Sequence, residues 1–106
     1  MTANSSILTL AIFQVSSENQ SAFIKAWQAL CSAFLHLPQP PATNMTLIQS
    51  TENLEVFQSL GAWHKLEDVE AMRTNLEIMP LMNAMVALTE HAQPGTFNII
   101  GTIPNL

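Results

Sequence analysis

Two side chains of this 106-residue sequence combine reactive chemistry with a position that a ligand could reach. His64 follows Trp63 at the end of an apolar segment, and an imidazole that titrates near neutral pH is a candidate general base. Arg73 is a candidate for holding an anionic or carbonyl oxygen. Each has a structural alternative: His64 as a solvated histidine at a strand end, and Arg73 as the ion-pair partner of Glu70 or Glu77 on one helix face.

Aromatic and thioether side chains form a second set of candidates, for lining an apolar ligand pocket. Methionine side chains adapt to ligands of varied shape, and indole rings stack on planar molecules. The same side chains also serve as ordinary core packing, and Asn98, beside an apolar strand, needs a hydrogen-bond partner wherever it is buried. The candidate pocket residues are Trp27, Trp63, Met72, Met82, Met85 and Asn98.

Motifs for metal, nucleotide or thiol chemistry are missing from the sequence. His36 and His91 fall at predicted helix C-termini, where an imidazole complements the helix dipole, and neither has a histidine at metal-binding spacing. The single cysteine, Cys31, cannot form an intrachain disulfide, and it lies on a predicted apolar helix stripe, where it should be buried and inert. We therefore expect no metal and no cofactor.

The composition restricts the partners of the chain. Lys and Arg number 3 against 8 Asp and Glu, for a net charge of −5, which argues against nucleic acid and anionic lipid as partners. No stretch reaches the roughly 18 apolar residues of a membrane span, and the N-terminus lacks the basic region of a signal peptide, so we expect a cytoplasmic protein. Only 10% of residues are charged, against roughly 25% in an average domain. That shortage favours a surface covered by a second copy of the chain.

The first half of the chain alternates between strand and helix patterns. Residues 7–15 predict a strand that is apolar on both faces, and residues 22–34 place apolar side chains on one stripe of a helix that Pro38 must end. Residues 38–44 predict an extended connector. Residues 45–50 and 56–63 predict a hairpin, in which Gly61 indicates a bulge or a close approach.

The second half predicts a split helix and a last strand. Residues 66–76 have helical periodicity, and Pro80 suits the first turn of a further helix that His91 and the Gln-Pro-Gly at 93–95 end. Residues 97–103 then predict a strand that is apolar on both faces. The order β-α-β-β-α-β predicts one α+β domain over 1–106, a ferredoxin-like four-stranded antiparallel sheet with helices on one face. The other face requires a cover, which a homodimer through the sheet face provides.

Four segments together resemble a known family, the antibiotic-biosynthesis-monooxygenase-like (ABM) domains, which are dimeric α/β barrels. They are Ser-Ser-Glu at 16–18, AFIKAWQAL at 22–30, LIQS at 47–50 and VFQSLGAWHKLEDVEAMR at 56–73. The resemblance spans nearly the whole chain. It departs before the second strand, where Pro41-Ala42 stands in place of the Pro-Gly usual in such domains.

The resemblance implies a set of activities. ABM-like domains include cofactor-free quinol and anthrone monooxygenases, haem-degrading monooxygenases, isomerases and members without known activity. Haem degraders of this type use an asparagine on the first strand and a tryptophan and a histidine on later helices, whereas residues 8–15 contain no asparagine and the other two positions fall near Met72 and Met82. Haem degradation of that kind is therefore rejected. Met72 also stands where some quinol-monooxygenase-like members carry a histidine.

Three functions remain open at the level of sequence. In the first, implied by the resemblance, the chain is a cofactor-free monooxygenase acting on a small planar apolar quinol, anthrone or phenol between sheet and helices. His64 would be its base, and Arg73 would anchor an oxygen. In the second, the same dimer binds a small apolar aromatic ligand without turning it over. In the third, it serves as an interaction module.

Overall fold

One antiparallel sheet and three α-helices make up residues 7–103, the part of the chain that the computed structural model describes. In chain order the elements are β1 (Ile7–Gln14), a 3₁₀ turn (Ser17–Asn19), α1 (Gln20–Leu35), β2 (Ala42–Gln49), β3 (Val56–Trp63), α2 (Leu66–Thr74), α3 (Met79–Val86) and β4 (His91–Asn98). The strand order is β2-β3-β1-β4, and every pairing is antiparallel. The predicted ferredoxin-like α+β fold is confirmed.

The alternation along β3 defines which face of the sheet the helices cover. Phe57, Ser59, Gly61 and Trp63 are buried, while the residues between them are partly exposed. Their partners on β1 lie on the same face, so the helix side of the two central strands also carries Phe13, Ala11, Thr9 and Ile7. The core lies between this face and the three helices.

Helix α1 follows the predicted apolar stripe. Phe23, Leu30 and Phe34 are buried, and the Phe23 ring packs between Phe13 and Phe57 at centroid distances of 5.1 and 5.3 Å. His36 ends the helix as predicted, since its backbone N–H bonds to Ser32 O and its Nδ1 lies 2.7 Å from the same oxygen.

The prediction for the last helix and strand is wrong in its boundaries. Helix α3 ends at Val86, where the Thr89 hydroxyl donates to the Val86 carbonyl at 2.7 Å. His91 is the first residue of β4, so it is not at a helix C-terminus. The Gln-Pro-Gly at 93–95 lies inside this strand. Strand β4 is at the edge of the sheet and pairs with β1 alone. An edge strand tolerates a proline because the N–H groups on its outer side have no partner strand.

Two further expectations about the strands are corrected. Because β4 is His91–Asn98 and largely polar in sequence, the last strand is not apolar on both faces. Strand β2 begins at Ala42, inside the predicted connector. The register shift lies in β2, between Ala42 and Asn44, and Gly61 on β3 marks a close approach instead of a bulge.

The side of the sheet away from the helices is uncovered in the single chain. Leu8, Leu10 and Ile12 of β1 lie on this open face beside Leu60 of β3, and Phe97 of β4 is 54% exposed there. Within residues 7–103, no helix has the length and apolar character needed to cross a membrane.

Candidate functional site

A cleft of about 420 Å³ lies between the helix side of the sheet and the three helices. Ligand pockets for small molecules fall in a range of roughly 300–1,000 Å³ and are mostly apolar, with a few polar groups. The apolar lining combines aromatic, aliphatic and thioether side chains, chiefly Leu30, Phe34, Trp63, Met72, Met82 and Met85. Trp63 and the three methionines of the candidate pocket thus line one cavity, and their role toward a ligand stays a prediction.

Thr9 lines the cleft at the centre of a row of residues that crosses the sheet. Thr9 on β1 pairs directly with Gly61 on β3 and with Thr96 on β4, so these residues share one face. The Trp63 indole N–H donates to the Thr9 hydroxyl at 2.7 Å. A Cβ built on Gly61 would lie 2.8 Å from Thr9 Oγ1, 2.9 Å from Trp63 Nε1 and 2.7 Å from Met45 Sδ. The absence of a side chain at 61 thus gives the indole room to reach Thr9.

A second hydroxyl lies one pleat further along the same face. Ser59 is 9% exposed and lines the cleft. The Trp27 indole N–H donates to its hydroxyl at 2.9 Å. Two tryptophans from different elements therefore bond two hydroxyls that face one cavity.

Arg73 supplies positive charge at the edge of the cleft. It lies in the last turn of α2, where a cation complements the helix dipole, and its Nη2 donates to Thr96 Oγ1 at 2.9 Å. Among the described residues that line the cleft, Arg73 is the one charged side chain. Within residues 7–103, Arg73 forms no ion pair with Glu70 or Glu77. The alternative role, an ion pair on the surface of α2, is therefore wrong.

The other predicted site residues lie outside this lining. His64 is exposed just after β3, and its backbone N–H donates to the Pro41 carbonyl at 3.3 Å. Asn98 is exposed at the end of β4. Trp27 lines a separate groove of about 510 Å³ between α1 and β2, and its indole N–H bonds to Ser59 of the cleft. The catalytic role of His64 stays a prediction.

Sequence reasoning missed the residues that give the cleft its polarity, Thr9, Ser59 and Asn83. Thr9 and Ser59 are isolated polar residues at inward positions of apolar strands, and a buried hydroxyl in such a position needs a hydrogen-bond partner. That pattern was the available signal. Asn83, on the short helix α3, has no comparable signal.

Cys31 is half-buried on α1, and burial raises the pKa of its thiol from the ordinary 9.0 to about 11. A thiol with so high a pKa is almost entirely protonated at neutral pH and is a poor nucleophile. Within residues 7–103, no three His, Cys, Asp or Glu side chains come together as a metal site would require.

Comparison with known proteins supports the fold. No protein-family model matches the sequence, and no curated protein matches it. The cofactor-independent oxygenase SnoaB from Streptomyces nogalater superposes with a TM-score of 0.81 at 17% identity, over 93% of this chain and 97% of that one. An antibiotic biosynthesis monooxygenase superposes at 0.74 with 9% identity, over 90% and 99% of the two chains. A conserved protein from Methanosarcina mazei gives 0.77 at 15% identity, over 87% and 90%.

These likenesses define the class of fold. The described chain has the ferredoxin-like fold of the antibiotic biosynthesis monooxygenase-type proteins, as the sequence resemblance predicts. At such low identity the likeness extends to the fold, and what this chain does depends on its own cleft.

Proposed function

We propose that the chain is a cofactor-free monooxygenase whose substrate is a small planar phenol, quinol or anthrone bound between sheet and helices. The observation that carries this proposal is the cleft itself: an apolar cavity of about 420 Å³ whose polar groups are hydroxyls, one amide and one guanidinium. Such a lining suits a flat, mostly apolar molecule that carries oxygen atoms. The shared fold with a cofactor-independent oxygenase supports the same class of reaction.

The proposed reaction requires the protein to supply a base and a positive charge near the substrate oxygen. Transfer of a proton to a base, for which His64 is the candidate, converts an anthrone into an electron-rich anion that reacts with O₂ at carbon. Return of the proton gives a hydroperoxide, and loss of water from it leaves a quinone. One anthrone and one O₂ thus give one anthraquinone and one water. Arg73 would stabilise the negative oxygen of the anion, because its guanidinium keeps further N–H donors after bonding Thr96.

Replacing Arg73 tests the proposal. Oxygen uptake by the purified protein with anthrone should give one O₂ consumed per anthraquinone formed, and Arg73→Gln should lower kcat/KM about 10- to 100-fold, because a charge-assisted hydrogen bond to the anion is lost. Lys25→Gln, which removes an exposed cation on α1, is the matched control and should leave the rate unchanged. If oxygen uptake with the wild-type protein is no faster than without protein, the proposed monooxygenase activity is refuted.

The His64 prediction is tested in the same assay. The imidazole lies outside the cleft lining, and a base must come within hydrogen-bond reach of the proton that it removes. His64→Ala should lower the rate if His64 is the base. An unchanged rate would remove it from the mechanism.

A second candidate is a binding protein of the same fold. The observation that favours it is that no His, Asp or Glu lies among the described residues that line the cleft, so none of them offers a conventional base. If the chain is a binding protein, planar phenols should bind tightly without any uptake of oxygen.

We also propose that the chain acts as a homodimer through the open face of the sheet. An uncovered apolar surface is a common site of association, and this one runs across the two central strands to Phe97 on the edge strand. The low charge content of the chain supports the same arrangement.

A further inference from the structure

We infer that the Thr9 and Ser59 hydroxyls form a pair of hydrogen-bond donors for the oxygen atoms of a planar ligand in the cleft, each oriented by a tryptophan. The inference deepens the proposed function, on which it rests for the class of ligand. It assigns the polar recognition to two residues on the sheet and to an indole, Trp27, that does not line the cleft.

The direction of the two hydrogen bonds carries the argument. An indole N–H can only donate, so each hydroxyl must accept from its tryptophan: Thr9 from Trp63 at 2.7 Å and Ser59 from Trp27 at 2.9 Å. Each hydroxyl therefore keeps its own O–H to donate elsewhere. Within residues 7–103, neither hydroxyl donates to a protein acceptor, and both side chains line the cavity.

The spacing of the pair suits one ligand. Ser59 lies two residues from Gly61, the direct partner of Thr9, so the two residues are diagonal neighbours, roughly 7–8 Å apart and somewhat closer at their Cβ atoms. A single oxygen between the two hydroxyls, or two oxygens on one ring, fits that distance with ordinary O–H···O bonds. A ketone, quinone or phenolate has such acceptors, whereas a hydrocarbon of the same shape leaves both donors unsatisfied.

The two tryptophans act differently. Trp63 lines the cleft itself, while Trp27 lines the groove between α1 and β2 and bonds to the cleft residue Ser59. Trp27 is thus a positioning residue. Without its N–H, the Ser59 hydroxyl is free to rotate and to donate to a neighbouring backbone carbonyl instead of the ligand.

A matched pair of probes tests the inference without turnover. 9-Fluorenone and fluorene share a planar three-ring shape and differ in one carbonyl oxygen, and quenching of tryptophan fluorescence measures the binding of each. The wild type should bind fluorenone more tightly than fluorene. Thr9→Val and Ser59→Ala should each reduce that preference about threefold to tenfold, and the double variant should abolish it, while fluorene binding changes little.

Infrared spectroscopy of the bound ketone supplies a readout that a packing defect would not mimic. The carbonyl stretch of fluorenone falls in frequency when it accepts hydrogen bonds, so it should lie lower in the wild type than in the double variant. Trp27→Phe should raise it partway, because an aromatic ring stays in place while the indole N–H is lost. Ser21→Ala and Thr51→Val, which change the same atoms at exposed positions, should have no effect.

Each outcome separates this inference from the proposed function. If both single variants reduce the preference, the two hydroxyls share the carbonyl oxygen and the donor pair is supported. If only one does, fluorenone bonds to that hydroxyl alone and the pair is overturned. An unchanged preference and an unchanged carbonyl stretch in the double variant would overturn it, even in a protein that oxidises anthrone. A lost preference in a protein that takes up no oxygen would keep the donor pair and reject the oxygenase.

Discussion

At the scale of single residues, the side chain that is missing at position 61 decides how the cleft floor is built. Three atoms from different residues meet where a Cβ at 61 would lie, each closer than 3.0 Å to that point. Two of them, Thr9 Oγ1 and Trp63 Nε1, are the partners of one hydrogen bond. A methyl group there must push the indole away from the hydroxyl.

Gly61→Ala should therefore destabilise the protein by about 1–3 kcal/mol, as overpacking of a dense core does. It should also reduce the preference for fluorenone over fluorene, because Thr9 loses the partner that orients it. Urea unfolding measures the first effect. Gly101→Ala is the control, since a Cβ at 101 meets nothing within 4 Å and should cost less than about 0.5 kcal/mol. Equal stability of the two variants would contradict the crowding at 61.

Reasoning from residue type alone favours His64 as a site residue and overlooks Thr9 and Ser59. His64 is a candidate because imidazole is the usual base near neutral pH, yet it follows the last residue of β3 and is exposed, whereas the side chain of its neighbour Trp63 is buried under the helices. Thr9 and Ser59 are unremarkable residue types, and their importance follows from the strand pairing that brings them together. Sequence shows which face a residue occupies more easily than which cavity it meets.

At the scale of elements, the sequence predicts the helix and strand boundaries that local periodicity sets. It does not predict the boundaries that depend on how the strands pair in the sheet. Strand β3 agrees with its predicted span, and α1 agrees in its apolar stripe and in its end, because alternation and 3.6-residue spacing are local properties. Strand β4 was displaced because Pro94 and Gly95 indicate a turn in isolation. Only the position of β4 at the sheet edge, paired with β1 alone, makes a proline acceptable there.

The packing of α1 gives the pH dependence of stability a definite sign. Burial holds the pKa of the Cys31 thiol near 11 in the folded chain, above the ordinary 9.0 of an exposed thiol. The folded state therefore binds the proton more tightly, and this contribution to stability is complete below pH 9 and is lost as the pH rises from 9 to 11. The effect is moderate because the thiol is only half-buried.

Urea unfolding between pH 8 and 11 should show a decline in stability that is smaller in Cys31→Ala, measured in the same buffers. At pH 8, iodoacetamide should alkylate Cys31 about 100-fold more slowly than an unfolded chain, since the thiolate fraction falls tenfold per unit of pKa. Identical rates for folded and unfolded protein would mean that α1 does not shield the thiol.

At the scale of the whole molecule, the two faces of the sheet differ in what covers them. The helices and the cleft occupy one face, and the other leaves Leu10 and Leu60, which are direct partners on the central strands, without a covering layer. Phe97 extends the apolar surface to the edge strand, where its ring lies against the position of Gly95. A second copy related by a two-fold axis would bury this open face against itself.

A charge on the open face tests that assembly. Leu60→Arg places one guanidinium per protomer in the middle of the open face, and burying it unpaired should raise the dimer dissociation constant at least about 100-fold. Sedimentation equilibrium should then show a dimer for the wild type and a monomer for the variant. Leu35→Arg, at a 70% exposed position on α1, is the matched control and should stay dimeric.

Phe97→Ser is a second test of the dimer, for use if the Leu60→Arg variant does not fold. Phe97 is 54% exposed in the single chain, so its replacement should weaken only the contact between the two copies. Circular dichroism distinguishes an unfolded variant from a folded monomer. The cleft lies on the opposite side of the sheet, so a folded monomeric variant should still prefer fluorenone to fluorene. A wild type that sediments as a monomer at tens of micromolar, or a Leu60→Arg variant that remains a dimer, would show that the open face is not where two copies meet.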